Sequence, residues 1–284
     1  MPHKLSEQAQ PFLRHIMRCH NARLPGTRWP LYIAHDVIGY CDPAFLKLLS
    51  DQDFASLLSI KEHSVTLKDG SVFLTISNAL KQKNLYLPFH ELFDVRTPEG
   101  RVIGQVDRAL IPLFGLEAQG VHMNGLVRKQ KELFLWVARR SPHKRLDPGK
   151  LDHIVAGGMS SGLTPEETIQ KEAGEEASVP PALSAQAQKV STIRYAMDRP
   201  EGLRRDLLHC FDLYLPEDFI PLAADGEVES FQLCPLPQVF ETVRDSDSFK
   251  FNVNLVLIDL FLRHKFFQPE DETLLRDAMD NSAP

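Results

Sequence analysis

At 284 residues, with 43% apolar and 25% charged side chains and a formal net charge of −6, the chain has the composition of a folded globular protein with room for one large domain or two modest ones. The mild acidity speaks against nucleic acid as a partner, which would ask for a basic face. Cysteines at 19, 41, 210 and 234 form no CxxC pair, which argues against a zinc or redox motif, suits a reducing compartment and makes a cytoplasmic location the expectation.

The N-terminal segment MPHKLSEQAQPFLRHIMRCHNAR is basic and has no apolar h-region, so no signal peptide is expected. Leu5, Ala9, Phe12, Leu13, Ile16 and Met17 recur at helical spacing, predicting an amphipathic helix packed on the body rather than on a membrane. Asp42-Pro43 predicts an N-cap and N1 proline for a helix reaching Leu49. SVTLKDGSVFLTI (64–76) shows two alternating runs around Lys-Asp-Gly and predicts a hairpin. VRTPEGRVIGQV (95–106) predicts a second hairpin or a loop and strand.

From about Gly120 the texture changes. GVHMNGLV and LFLWVARR (133–140) are strand-like runs, followed by a basic loop and a strand, RSPHKRLDPGKLDHIVAGG. VSTIRYAM (190–197) and LLHCFDLYL (207–215) predict further strands, and Pro237–Arg244 and Phe251–Arg263 predict helices. The most apolar run, FNVNLVLIDLFL (251–262), is too short and too polar to span a bilayer and predicts a buried helix. The charged tail from Pro269 predicts a small peripheral helix. Strands and helices mix without a regular βαβ beat, so the expected class is α+β.

The stretch AGGMSSGLTPEETIQKEAGEEASVP (156–180) carries the chemistry. Thr164, Pro165 and Glu167 predict a capping box, and Val179-Pro180 predicts the stop. At about 100° per residue, Ile169, Ala173 and Ala177 form an apolar stripe, and Glu172, Glu175 and Glu176 lie along its edge. Like charges at that spacing repel. Three carboxylates at a half-buried edge therefore call for a hard divalent cation, and the Gly157-Gly158 turn lets backbone come close to it.

These residues resemble the Nudix box, G-x5-E-x7-R-E-U-x-E-E-x-G-U, with U bulky and apolar. Gly157 takes the first glycine and Glu172, Glu175 and Glu176 the metal-facing acids. Leu163 stands where the box has glutamate, Lys171 where it has arginine, Ala173 at a U position and Ser178 at the closing glycine. Lysine lacks arginine's planar fork, and serine is a costlier left-handed helix end than glycine. DRALIPLFG (107–115), PGKLDHIVAGG (148–158), GVHMNGLV and LFLWVARRS are similar to a Nudix subgroup with an N-terminal domain of unknown function. That subgroup is similar to the Nudix portion of fungal thiamin pyrophosphokinase proteins, and Lys and Ser at those two box positions are familiar in it.

The resemblance implies a Nudix fold, a mixed sheet between helices, preceded by a smaller α/β domain. The expected divisions are 1–115, with a substrate-specificity role, 116–265 for the Nudix domain, and 266–284 for the tail. It implies hydrolysis of thiamin diphosphate, or its oxo and oxy analogues, to the monophosphate, with Mg²⁺ or Mn²⁺ held by Glu172, Glu175, Glu176 and the Gly157 carbonyl. Glu172, Glu175 and Glu227 are the candidate catalytic acids, with Glu227 ranked slightly above Glu229 as general base and a solvated acidic loop as the plain alternative. Arg139, Arg140, Lys144 and Lys150 are candidate phosphate ligands. Strand alternation allows at most one of Arg139 and Arg140 to face the site. Arg205-Asp206 reads as structural, and His122, on a strand, reads as packing first and as a weak catalytic candidate second.

The expected partner is a small-molecule diphosphate, with no nucleic acid and no membrane, and with a homodimer as the assembly to test. Three rivals share the fold: a diphosphate-binding module without turnover, a nucleotide pyrophosphatase acting on ADP-ribose or dinucleotides, and isopentenyl-diphosphate isomerase. The last needs a cysteine near the box, and none lies between Cys41 and Cys210. Kinase activity is not expected, because there is no P-loop.

Overall fold

A computed structural model describes residues 4–52, 54, 56–224 and 226–281. In chain order the elements are α1 (Gln10–Cys19), β1 (Trp29–Ile33), β2 (Asp36–Cys41), α2 (Pro43–Ser50), β3 (Leu58–Lys61), β4 (Ser64–Leu67), α3 (Ser71–Gln82), β5 (Leu92–Arg96), β6 (Val102–Asp107) and α4 (Ile111–Phe114). They continue with β7 (Glu117–Lys129), β8 (Glu132–Arg140), β9 (Leu151–Asp152), β10 (Val155–Gly158), α5 (Pro165–Ala177), α6 (Pro181–Ser184), β11 (Gln188–Arg199), β12 (Gly202–Tyr214) and β13 (Val228–Pro235). Three helices close the chain: α7 (Leu236–Asp245), α8 (Val253–Arg263) and α9 (Pro269–Asn281).

The first unit is a sheet of order β2-β1-β4-β3, with α2, α3 and the β5-β6 hairpin completing it. Its core gathers Leu31, Phe45, Phe73, Ile76, Phe93, Val106 and Phe114. Asp42 caps α2 as its sequence predicts, accepting the Ala44 N–H at 2.7 Å. The expected hairpin at 64–76 is instead a strand followed by a helix. Asp69 accepts both the backbone N–H and the hydroxyl of Ser71, which starts a helix rather than a tight turn. Gly70 has φ −72°, outside the left-handed region a type I′ turn needs. Val72, Phe73, Ile76 and Leu80 then bury a stripe of helical period. Gly70 is glycine for a different reason: a Cβ there would collide with the Ile103 carbonyl, where the helix start presses on β6.

The second unit is a mixed sheet of order β11-β12-β7-β8-β13, in which β12 and β7 are parallel. β7 and β8 pair only from Gly125 to Lys129 and from Glu132 to Trp136. Beyond Gly125 they part, and β10 pairs with β7 while β9 pairs with β8. Alternate side chains serve opposite faces. Val121, Met123, Trp136 and Phe211 meet Ile169, Ala173 and Ala177 of α5 on one face. Leu126, Leu135, Val137 and Cys210 meet α7, α8 and α9 on the other.

α1 belongs to that second face. Phe12 and Ile16 are buried with the C-terminal helices, and the Phe12 ring lies 4.8 Å from Phe240 and 5.0 Å from Phe267. The first helix of the chain thus packs outside the core of residues 31–116 that follows it. Among the described residues, no helix is long and apolar enough to cross a membrane.

Candidate active site

α5 is built as its sequence predicts. The Thr164 hydroxyl accepts the Glu167 N–H at 3.2 Å, and Glu167 accepts the Thr164 N–H at 2.9 Å, a complete capping box. The helix ends at Ser178, which takes the left-handed conformation (φ 52°, ψ 35°) that glycine adopts more cheaply. Its hydroxyl donates to the Leu222 carbonyl at 3.2 Å.

The three acids differ in environment. The Glu172 carboxyl lies directly over Gly157, where a Cβ would overlap it. The two glycines expected as a turn are in fact the end of β10, and Gly157 is needed there for close approach. Glu176, one turn on, is 6% exposed, and its Oε2 accepts the Ala156 N–H at 2.8 Å. Burial pushes its carboxyl up to about 8 despite that bond, and burial also raises Glu172. Glu175 points outward: its side chain is 53% exposed and meets Lys171 at 2.7 Å. Lys171 also reaches Glu172 at 3.2 Å. A point charge thus bridges two box acids where the box has a forked arginine.

These donors suit a hard cation. Two neighbouring carboxyls are raised because loss of water outweighs the positive charge that Lys171 brings to Glu172 and Lys144 to Glu176. Oxygen donors with a glycine strand beneath them are the ligand chemistry of Mg²⁺ or Mn²⁺ rather than of a soft metal. Glu175 is not gathered with them in this conformation.

The structure divides the four candidate phosphate ligands. Arg139 and Arg140 do face opposite ways. Arg139 donates to the Gly149 carbonyl at 3.0 Å and lines a cleft of about 130 Å³ beside α7, away from the glutamates. Lys150 donates to the Asp247 carbonyl, also away from them. Arg140 is on the glutamate side, but it is consumed by Asp152 at 2.6 Å and by the Asp147 and Leu146 carbonyls. Lys144 alone stands at the rim. It is half-buried, feels the charge of Glu176, and pairs with Glu227. That pair ties Glu227 to the rim lysine; Glu227 and Glu229 are both exposed.

Three groups that the sequence reading passed over border the same rim. Arg145 lies 4.7 Å from the Phe89 ring centre, and Arg108 lies 5.3 Å from it. Arg108 also pairs with Glu91 at 2.8 Å. DRALIPLFG and the HKR loop contain these arginines, so a local signal existed; their meeting across Phe89 is a tertiary fact.

Under the site, where β7 and β8 part, His122, Asp152 and His153 place ligand atoms within 4.8 Å of one another. This is a polar network rather than a second metal centre. Asp152 already faces Arg140 and, at 3.8 Å, the buried Lys250 ammonium. A divalent cation would meet two positive charges there. Burial would raise Asp152, but Lys250 and Arg140 outweigh it and hold the carboxyl well below the usual range. Burial lowers Lys250 to about 8 and His153 to about 4. The two imidazoles touch through their Nδ1 atoms at 3.0 Å, one donating to the other.

A model of the NUDIX domain matches residues 119–253. The chain is 34% identical to Nudix hydrolase 24, chloroplastic, of Arabidopsis thaliana, over 91% of this chain and 74% of that one. It is 41% identical to Nudix hydrolase 20, chloroplastic, of the same plant, over 66% of this chain, and spans 50% of that protein's length. Among solved structures, DR0079 of Deinococcus radiodurans superposes with a TM-score of 0.46 at 22% identity, over 59% of this chain and 97% of that one. At 34% identity across nearly three quarters of a named Nudix hydrolase, the chain belongs to the Nudix hydrolase family and is a Nudix-type pyrophosphohydrolase.

Proposed function

We propose that the chain hydrolyses an organic diphosphate, thiamin diphosphate or its oxo and oxy analogues, to the monophosphate and phosphate. The observation that carries the site is the overlay of the Glu172 carboxyl on Gly157 with Glu176 buried one turn away. Glu172, Glu176 and the Gly157 carbonyl would hold Mg²⁺ or Mn²⁺, joined by Glu175 once it leaves Lys171. Such an ion, when bound, neutralises phosphate charge and makes water a better nucleophile.

The chain's own residues do the rest. Lys144, with Arg145 over Phe89, presents positive charge to the phosphates, while Arg108 stays engaged by Glu91. Glu227, released from Lys144 as the phosphate takes that lysine's charge, accepts the proton of the attacking water. Of the expected divisions 1–115, 116–265 and 266–284, the first supplies the specificity wall only after α1, which packs with the catalytic unit, and the last adds α9 to that unit's core. The choice of thiamin compounds is supported by the likeness of 107–115 and 148–158 to the subgroup related to fungal thiamin pyrophosphokinase proteins. The four cysteines are free and buried, which supports a reducing compartment; our reading is the cytoplasm, with the homodimer as the assembly to test.

The experiment is product identification from thiamin diphosphate, oxythiamin diphosphate, ADP-ribose and a dinucleotide polyphosphate with Mg²⁺ or Mn²⁺. Monophosphate from the thiamin compounds is expected. Turnover of the nucleotides alone would keep the metal site and discard the thiamin assignment. Binding without turnover of any substrate would favour a diphosphate-binding module.

A further inference from the structure

The loop 159–163 joins β10, which carries Gly157, to α5, which carries the acids. It is the covalent link between the strand that lies under the Glu172 carboxyl and the helix that carries that carboxyl. Position 163 is leucine, so no carboxylate from within the loop can tie it down. From its own unit the loop receives the Met159 N–H to Gln119 carbonyl bond and an internal Leu163 to Ser160 bond.

The remaining ties come from the other unit, through the β5-β6 hairpin and the residue before it. The Ser160 hydroxyl donates to Glu91 at 2.8 Å. The Ser161 N–H donates to the Leu92 carbonyl at 2.7 Å, and its hydroxyl to Asp94 Oδ1 at 2.5 Å. The Gly162 N–H donates to Asp94 Oδ2 at 3.3 Å. The Gln105 amide donates to the same Ser161 hydroxyl at 2.5 Å. Phe93 points the tip of its ring at Gly158, where a Cβ would overlap it. Arg96 at 2.9 Å and Arg108 at 2.8 Å neutralise Asp94 and Glu91, leaving both acids free to act as acceptors rather than as metal ligands. Three consecutive loop residues are thus held by a segment that precedes the Nudix domain in the chain.

We infer that Asp94 and Glu91 are positioning residues for the metal-binding carboxylates, holding the box loop from outside the domain that contains it. The inference rests on the metal site proposed above. Charge-assisted bonds to a carboxylate are about twice as strong as neutral ones; direct outer partners of a metal ligand typically carry about 10–100-fold of metal affinity, and Asp94 and Glu91 act one step further out, through the loop, which puts the expected effect at the low end.

The test is Mn²⁺ binding to the full chain by calorimetry, with no substrate present. Asp94→Ala is expected to raise the Mn²⁺ dissociation constant about tenfold. Ser161→Ala, which removes the same bond from the loop side, should shift it in the same direction. Val95→Ala is the control: Val95 is buried on the other face of the same strand, so it should lower the melting temperature and leave Mn²⁺ affinity within about twofold of wild type, below the loss expected of an outer partner. Unchanged affinity in both Asp94→Ala and Ser161→Ala would overturn the inference. So would equal weakening in Val95→Ala, which would mean general loosening. A wild type that binds no Mn²⁺ would overturn it together with the metal site. A wild type that binds Mn²⁺ tightly but leaves thiamin compounds intact would overturn the substrate reading alone.

Discussion

At the scale of single residues, the acids of α5 were legible because helical spacing alone puts Glu172 and Glu176 one turn apart beside an apolar stripe. Arg139 and Lys150 were not, because residue type and proximity in sequence say nothing about which face of a sheet a loop will serve. Alternation did limit the arginine pair, but it could not show that Asp152 occupies Arg140. Glu227→Gln should lower kcat by about 10²–10⁴-fold with little change in substrate affinity, read from steady-state kinetics; an equal loss in Glu229→Gln instead would transfer the base role. His153 makes a second prediction. Burial holds its folded pKa at about 4, below the unfolded 6.5, with Lys250 adding to the shift and Asp152 and Asp212 opposing it; His122 is its hydrogen-bond partner. The unfolded chain therefore takes up the proton first as pH falls. This contribution is whole above pH 6.5 and is lost progressively toward pH 4, about 3 kcal/mol at most. Denaturation midpoints measured from pH 7 to 4.5 should fall more steeply for wild type than for His153→Gln.

At the scale of elements, helices with strong ends were read well. α2 and α5 carry their caps in sequence, and α8 betrays its burial by composition. The failure at 64–76 came from SVFLTI, where an apolar run fits either period and the Asp69–Ser71 bonds decide for the helix. Thr164→Ala removes one half of the capping box and should cost about 1 kcal/mol in urea denaturation. Ser178→Gly trades an L-residue's left-handed penalty against one hydrogen bond to Leu222 and should gain about 0.5 kcal/mol. A loss on Ser178→Gly would show that the Leu222 bond outweighs the backbone penalty.

At the scale of the molecule, the two units are joined at several places, Arg205 to the Gly115 carbonyl at 3.2 Å among them, and two of these ties were not visible in sequence. α1 crosses to the C-terminal helices, and the β5-β6 hairpin grips the box loop, with the Ser161–Asp94 bond spanning 67 positions. Periodicity showed that α1 is amphipathic, yet no local pattern names the partner surface. Phe12→Ala should cost about 3–5 kcal/mol while leaving Mn²⁺ affinity unchanged, since it empties a core remote from the glutamates. The central claim is metal-dependent hydrolysis at the Glu172–Glu176 site. The most direct measurement is phosphate release from the substrate panel by wild type and Glu176→Gln, with divalent metal and after its removal by a chelator. The account predicts turnover that requires the metal and falls by roughly 100-fold or more in the variant, which must remain folded by its melting temperature. Undiminished turnover in Glu176→Gln, or in the absence of a divalent ion, would contradict it.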